Sequence, residues 1–141
     1  MTSRKSINKT PSKTDVKLKQ AETLLSVSKR VSAMETVDEI LESLVEIATY
    51  EMQAERGSLF INDPVTNELY SRVAMGMQRR EIRVMNDSGI VGNVYQSGKG
   101  LIIKNAYRDK RFDKSIDESS GFLTKSILCT PIKTVKGEII G

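Results

Sequence analysis

Polar side chains crowd residues 112–126, directly before an apolar segment. Carboxylates and hydroxyls come from Asp113, Asp117, Ser119, Ser120 and Thr124. The apolar run that follows, residues 127–129, is typical of a strand. Side chains of this kind at the start of a strand can hydrogen-bond a small polar ligand, or they can belong to an ordinary solvated connection. The spacing of these residues leaves both interpretations open.

Several kinds of catalysis are excluded by what the chain lacks. It has no histidine, the commonest general base and a common metal ligand. Its one cysteine, Cys129, lies in the apolar run, where a core thiol is expected rather than a nucleophile. The stretch from Gly92 to Gly100 has neither the spacing of a phosphate loop nor the Ser or Thr that binds magnesium there. We therefore expect no enzymatic activity, no metal site and no cofactor in this chain.

Charge separates the N-terminus from the rest of the chain. The first twenty residues hold six cations and one anion, a sum of +5, while the whole chain of 141 residues sums to +4. Residues 21–141 therefore sum to −1. Residues 1–15 contain Ser, Thr and Lys but no aromatic residue, which predicts a disordered basic leader. A basic leader can contact nucleic acid, but a solvated leader is the simpler interpretation, and no nucleic-acid partner is expected.

The length and composition predict one cytoplasmic domain. A chain of 141 residues fits a single domain. No apolar run reaches the roughly 18 residues of a membrane span, and no apolar signal core is present at the N-terminus. A single cysteine also excludes an intrachain disulfide.

Two helices are predicted before the first strand. Residues 16–34 carry apolar side chains at 3-4-3 spacing, namely Leu24, Val27, Val31 and Met34. This helix can dock on its own domain or on the same helix of a second copy, and the spacing favours neither. A second helix begins after Thr36, because Thr36 and Glu39 fit a capping box.

The remaining elements predict an α+β fold. Strands are expected at residues 58–63, 69–75, 81–85, 101–105 and 125–134, with a last one starting at 138. The first two should form an antiparallel hairpin, and the strand over 125–134 should be buried. A helix flanked by glycines is expected over 89–98, and a long polar connection with about one helical turn over 106–122. This order indicates an antiparallel sheet flanked by helices, a sandwich in which a final strand and closing helix are expected beyond Gly141.

Four stretches resemble the GAF domain, a small-molecule sensor module of signalling proteins. They are "RGSLFIND" (56–63), "GIVGNV" (89–94), "NAYRDKRFDKSIDESSGFLTKSILCTPI" (105–132) and "KGEIIG" (136–141). The third is the most specific. It is similar to the cyclic-nucleotide type of GAF domain, found in cyclic-nucleotide phosphodiesterases and bacterial adenylate cyclases. The resemblance implies a GAF/PAS-like sandwich over residues 35–141, incomplete at its C-terminus, preceded by the 16–34 helix.

The resemblance also implies a ligand, cAMP or cGMP, between the sheet and residues 105–124. The backbone amides of Ile90 and Val91, at a helix start, would face the cyclic phosphate. Side chains at matching positions are Ser58, Asp113, Asp117, Ser120 and Thr124. Each has a structural explanation as well: an Asp or Ser can cap a turn through the backbone, and Ser58 can be a plain strand residue.

Two positions depart from the cyclic-nucleotide pattern. Ala74 and Met75 stand where related domains can place an aromatic residue and an aspartate against the purine. A purine edge left without partners binds poorly, because each unmade hydrogen bond costs about 1–3 kcal/mol. These departures favour an alternative, a ligand-free interaction module that dimerises through the 16–34 helix.

The expected function is therefore that of an N-terminal regulatory sensor. Ligand binding would control a downstream signalling domain, expected to be an adenylate or guanylate cyclase. The expected partners are a small-molecule ligand and a second copy of the chain.

Overall fold

The computed structural model describes residues 11–74 and 81–141. In this part of the chain the elements are α1 (Lys13–Val31), α2 (Val37–Glu51), β1 (Ser58–Asp63), β2 (Glu68–Ala74), β3 (Arg83–Met85), α3 (Gly89–Ser97), β4 (Leu101–Ile103), α4 (Lys114–Ser120) and β5 (Ile127–Cys129). A 3₁₀ turn, Ala106–Arg108, lies between β4 and α4. Most of the predicted leader, and the predicted strand end at Met75, fall outside the described residues.

Capping side chains explain where the first two helices begin. Ser12 caps α1 by accepting from the Asp15 N–H at 3.1 Å, and the Asp15 carboxylate accepts from the Ser12 N–H at 2.9 Å. This box starts α1 at residue 13, three residues earlier than expected. The predicted capping box of α2 is present, with the Glu39 N–H donating to the Thr36 hydroxyl at 3.2 Å.

The predicted hairpin forms one side of the fold. β1 pairs with β2 in antiparallel register from Ser58 opposite Ala74 to Asp63 opposite Glu68, with an irregularity after Leu59. β2 then pairs with β3, also antiparallel. The turn is held by Asp63, whose carboxylate accepts from a backbone N–H two residues on, at 2.9 Å. Packing of α2 against β1 and β2 covers this hairpin.

A second antiparallel pair, β4 and β5, is joined to the first sheet by the C-terminal residues 131–141. The Ile140 N–H donates to the Ile132 carbonyl at 2.9 Å, which pairs the two arms of this segment. The Asn62 N–H in β1 donates to the Ile140 carbonyl, also at 2.9 Å. The predicted α+β class with an antiparallel sheet flanked by helices is therefore confirmed.

The buried apolar side chains come from α2, β2, α3, β4 and the 3₁₀ turn. They are Val45, Leu69, Ile90, Val94, Ile103 and Ala106. The predicted long buried strand over 125–134 is wrong in two respects: β5 stops at Cys129, and Leu128 is 56% exposed beside Ile102, which is 73% exposed. Pro131 explains the early stop, because proline cannot donate to a strand ladder.

No helix within residues 11–74 and 81–141 is both long and apolar enough to cross a bilayer.

Candidate functional site

Residues 105–124, hereafter the lid, form an ordered segment with more helix than the one turn expected. The signals for α4 are local: Asp113 accepts from a backbone N–H two residues on, at 2.9 Å, and Gly121 ends the helix with φ of 68°. At the start of the lid, Ala106 is fully buried, and its N–H donates to the Lys125 carbonyl at 2.8 Å. The lid is therefore held against the domain rather than extended into solvent.

Asp117 is the centre of the lid and is only 6% exposed. One carboxylate oxygen accepts from the Thr124 hydroxyl at 2.6 Å. The other accepts from the Thr124 N–H at 2.6 Å and from the Tyr107 hydroxyl at 3.0 Å. Burial raises the pKa of Asp117, but these hydrogen bonds outweigh burial and hold the pKa below its usual value. Two predicted ligand residues, Asp117 and Thr124, thus bind one another.

The other two predicted residues of the lid lie at opposite ends of α4. Ser120 is half-buried; its hydroxyl donates to the Asp117 carbonyl at 3.4 Å and accepts from the Phe122 N–H at 3.3 Å. Its contacts fit the structural explanation, a turn residue. Asp113 is exposed, and hydrogen bonds from Ser115 hold its pKa below the usual value. The Asp113 carboxylate is therefore charged and reachable at neutral pH.

Arg111 ties the lid to α3. Its guanidinium donates to the Asp109 carboxylate at 2.7 and 2.9 Å and to the Asn93 side-chain oxygen at 2.9 Å. The paired guanidinium and the Arg111 N–H lower the pKa of Asp109 to about 2. The lid therefore carries a bidentate ion pair whose arginine also hydrogen-bonds across to α3.

The start of α3 lies directly beside this crossing. Gly89 begins the helix with φ of 69°, and a Cβ placed there would stand 3.6 Å from the Arg111 carbonyl oxygen. The first intrahelical bond comes from the Gly92 N–H, so the amides of Ile90 and Val91 precede the hydrogen-bonded turns. The Ile90 side chain is buried and that of Val91 half-buried. Helix start and lid backbone are thus adjacent, as the predicted site requires.

Ser58 is exposed at the start of β1, opposite Ala74, which offers no polar side chain. Two residues earlier, the Arg56 guanidinium lies 4.1 Å from the ring centroid of Phe122, at the end of the lid. The Arg56 charge also lowers the pKa of Asp117, though less than the hydrogen bonds do.

Two residues that organise the lid were missed as site residues in the sequence. Tyr107 was recognised only as a matching motif position, yet it donates to Asp117 and packs on Phe112 with ring centroids 5.3 Å apart. Arg56 is only the first residue of the matching stretch 56–63 in the sequence, and nothing local connects it with Phe122. A pattern of spacing detects neighbours along the chain and not partners across the fold.

The alternatives to the lid as a functional site are a metal site, the Cys129 thiol and a groove between α1 and α2. No group of three or more carboxylate or thiol residues is arranged to hold a metal ion in residues 11–74 and 81–141. Burial raises the pKa of the Cys129 thiol, which disfavours the nucleophilic thiolate. A groove of about 360 Å³ lies between α1 and α2, and none of the predicted ligand residues lines it. Its walls carry Arg30, Ala33, Met34, Glu39, Glu42, Ser43 and Glu46.

An antiparallel sheet with flanking helices and an ordered lid beside a helix start defines a small α+β domain. A model of the GAF domain matches residues 36–141. The chain therefore belongs to the GAF domain family. The GAF domain of a phosphoenolpyruvate-protein phosphotransferase from Coxiella burnetii is similar in fold, with a TM-score of 0.75 at 19% identity over 87% of this chain and 74% of that one.

The similar sequences include phosphodiesterases. The probable 3',5'-cyclic phosphodiesterase pde-5 of Caenorhabditis elegans is 35% identical in an alignment of length 118 that covers 75% of this chain and 16% of that protein. Dual 3',5'-cyclic-AMP and -GMP phosphodiesterase 11 of Drosophila melanogaster is 38% identical in an alignment of length 106 that covers 64% of this chain and 7% of that protein. The chain thus spans a sixth or less of these relatives, and the expected cyclase partner gains no support from them.

Proposed function

We propose that this GAF domain binds a cyclic nucleotide under the lid and regulates a larger cytoplasmic signalling protein. The observation that carries the proposal is the position of the lid. Asp117 holds its two halves together by accepting hydrogen bonds from Thr124, and Arg111 holds it next to the start of α3 by donating to Asn93. Because the similar proteins are phosphodiesterases acting on 3',5'-cyclic nucleotides, a phosphodiesterase replaces the cyclase as the proposed output domain.

The residues have different proposed roles. The amides of Ile90 and Val91 hold the cyclic phosphate, because the positive end of a helix favours an anion. Asp113 and Ser58 are exposed, so their side chains are available to a ligand. Asp117, Ser120 and Thr124 act indirectly, since their polar atoms are engaged with the lid's own groups. They determine the shape of the lid.

Arg56 and its neighbour connect the lid with α2, so a change in the lid can be transmitted to that helix. Its guanidinium packs on Phe122 of the lid, and its neighbour Gly57 packs on Val45 and Thr49 of α2. A ligand that shifts the lid would therefore act on the same connection that positions α2. Such regulation needs different ligand affinities in two states of the domain, as any coupled equilibrium does.

Excess cAMP or cGMP is expected to raise the melting temperature of the chain. At a hundredfold excess over Kd, one ligand stabilises a protein by about 2.7 kcal/mol. For a domain of this size that shift is roughly 10 °C. Thermal unfolding followed by circular dichroism would measure it, with 5'-AMP and 5'-GMP as matched nucleotides that lack the cyclic phosphate.

Variants separate ligand contact from folding in the same assay. Asp113→Ala should lose the nucleotide shift, while the ligand-free stability changes by about 1 kcal/mol or less, as for an exposed helix cap. Ser119→Ala is the matched control, because Ser119 is also exposed on α4 and has no proposed ligand contact. Equal melting temperatures with and without both cyclic nucleotides, near millimolar concentration, would refute the ligand.

A second candidate function is dimerisation through α1, which has no buried residue. Leu24 is 70% exposed, and Leu18 and Leu25, seven residues apart on one face, are 60% and 58% exposed. Val27, Val31 and Met34 are half-buried. The predicted seam is therefore divided: its C-terminal members are partly covered within the chain, and Leu24 remains available to a second copy.

Replacing Leu18 and Leu25 together by Glu should convert a dimer into a monomer, because two charges would enter an apolar contact. Light scattering of the full chain at several concentrations measures the mass. Val65→Glu is the control, since Val65 is exposed in the β1–β2 turn, away from α1. A monomeric mass for the unsubstituted chain at every concentration would remove this candidate.

A further inference from the structure

Ser32 stands at the end of α1 in a setting suited to modification. It is the only serine or threonine of the sequence with a cation both three and two residues before it, Lys29 and Arg30. Its side chain is exposed at the C-cap, where the hydroxyl donates to the Ser28 carbonyl at 2.8 Å. Two consecutive cations before a serine suit a protein kinase with an acidic substrate cleft, because charge patterns select kinase substrates.

The neighbouring cations are available to such a cleft. Arg30 pairs with Glu46 at 3.5 Å, but the two side chains are 48% and 60% exposed. An exposed pair of this kind contributes little to stability, so Arg30 can exchange Glu46 for an acidic group of another protein at small cost.

The end of α1 also opens easily. A kinase binds its substrate in an extended form, so the last turn of α1 must unwind. α1 has no buried residue, and beyond Ser32 the backbone N–H groups of Ala33 and Met34 donate to carbonyls only three residues back. Segments with so little burial open locally at low free energy.

We propose that Ser32 is a phosphorylation site for a basophilic protein kinase and that its phosphorylation loosens α1 from α2. The Ser32 Oγ attacks the γ-phosphorus of ATP, the bond to the bridging oxygen breaks, ADP leaves, and the hydroxyl proton passes to the kinase's base. This site is independent of the proposed nucleotide ligand.

Three effects of the phosphate each weaken the end of α1 and its contact with α2. The modified oxygen has no hydrogen, so the bond to the Ser28 carbonyl is lost. A charge of about −2 at a helix C-terminus opposes the helix dipole. The groove between α1 and α2, which begins next to Ser32 at Ala33, carries Glu39, Glu42 and Glu46 on its α2 wall, and these carboxylates repel a phosphate. Lys29, one helical turn before Ser32, offsets only part of this repulsion.

The site is tested on the full chain with the catalytic subunit of a cAMP-dependent protein kinase and ATP. Intact-mass and peptide mass spectrometry should show one phosphoryl group, on Ser32, and none in Ser32→Ala. Ser28→Ala, the matched control, should be modified like the unsubstituted chain, because Ser28 has no cation three or two residues before it. Arg30→Gln should slow incorporation about tenfold or more.

The conformational part is tested by hydrogen exchange of the phosphorylated and unmodified chains. Residues 28–36 should exchange about fivefold faster after phosphorylation, as expected for a lost helix cap, while β1 and β2 stay unchanged. Phosphate on another residue, or none, would overturn the site. Unchanged exchange in residues 28–36 of the phosphorylated chain would overturn the loosening of α1.

Discussion

Asp117→Ala is expected to lower the free energy of unfolding by about 2–4 kcal/mol. The carboxylate is buried and accepts from the Thr124 N–H, the Thr124 hydroxyl and the Tyr107 hydroxyl. Removing it leaves the two half-buried Thr124 donors without a partner, and an unpaired group kept from water costs about 1–3 kcal/mol, whereas Tyr107 is 38% exposed and its hydroxyl can reach water. The lid would lose its central contact, so any nucleotide-induced stabilisation should disappear as well.

Urea unfolding of the full chain measures this loss, with Asp113→Ala as the control on the same helix. Asp113 is an exposed cap, and its replacement should cost about 1 kcal/mol. Tyr107→Phe removes only one of the three bonds and should cost about 1 kcal/mol. If Asp117→Ala were no more destabilising than Asp113→Ala, the central role of Asp117 would be wrong.

Acid should act on the same contact. The pKa of Asp117 is lowered in the fold, and that of Asp109 is lowered from 3.8 to about 2 by Arg111. A carboxylate with a lowered folded pKa stabilises the fold above its unfolded pKa, and this stability is lost as pH falls through the folded value. Stability should therefore decline as pH falls from about 4 to about 2, and the decline should be shallower in Asp117→Asn.

Gly57→Ala is expected to destabilise the chain by about 2–3 kcal/mol. A methyl group at this position would lie 2.8 Å from Cγ1 of Val45 and closer still to Oγ1 of Thr49. Both side chains belong to α2, so the start of β1 would have to move away from the helix. Overpacking of this kind typically costs 1–3 kcal/mol. Urea unfolding again gives the measurement.

A double-mutant cycle tests the steric explanation. Thr49→Ala removes the nearer atom and should recover part of the loss in the Gly57→Ala background, because contacting residues are not additive. Gly121→Ala is the matched control: open space surrounds it, but its φ of 68° disfavours alanine, at a cost of about 1 kcal/mol. A loss at Gly57 no greater than that at Gly121 would contradict the close approach.

The predictions for Asp117 and Gly57 concern the two ends of one chain of contacts, from the lid to α2. Gly57 positions the chain against α2, and Arg56 beside it packs on Phe122 near Asp117. If the proposed ligand changes the lid, the change would reach α2, which packs against α1, through the adjacent residues Arg56 and Gly57. Substitution at Gly57 should therefore disturb regulation and stability together, whereas Ser119→Ala should disturb neither.

The sequence alone determined the features that depend on close neighbours. The α2 capping box of Thr36 and Glu39, the β1–β2 hairpin and the glycine end of α3 at Gly98 were all predicted correctly. Each involves groups a few positions apart along the chain, so residue type and spacing suffice to specify it. The GAF motif also identified the lid, because its residues are contiguous.

Only the tertiary structure decided which side chains meet. Asp117 turned out to bind Thr124 and Tyr107 within the lid, Arg56 to cover Phe122, and Leu128 to be exposed in a strand expected to be buried. These outcomes depend on how separate elements pack, and a one-dimensional pattern of polar and apolar residues contains no distance between them. The free energy of burial and of paired polar groups is set by that packing, which explains why the lid could be located from the sequence but its internal bonds could not.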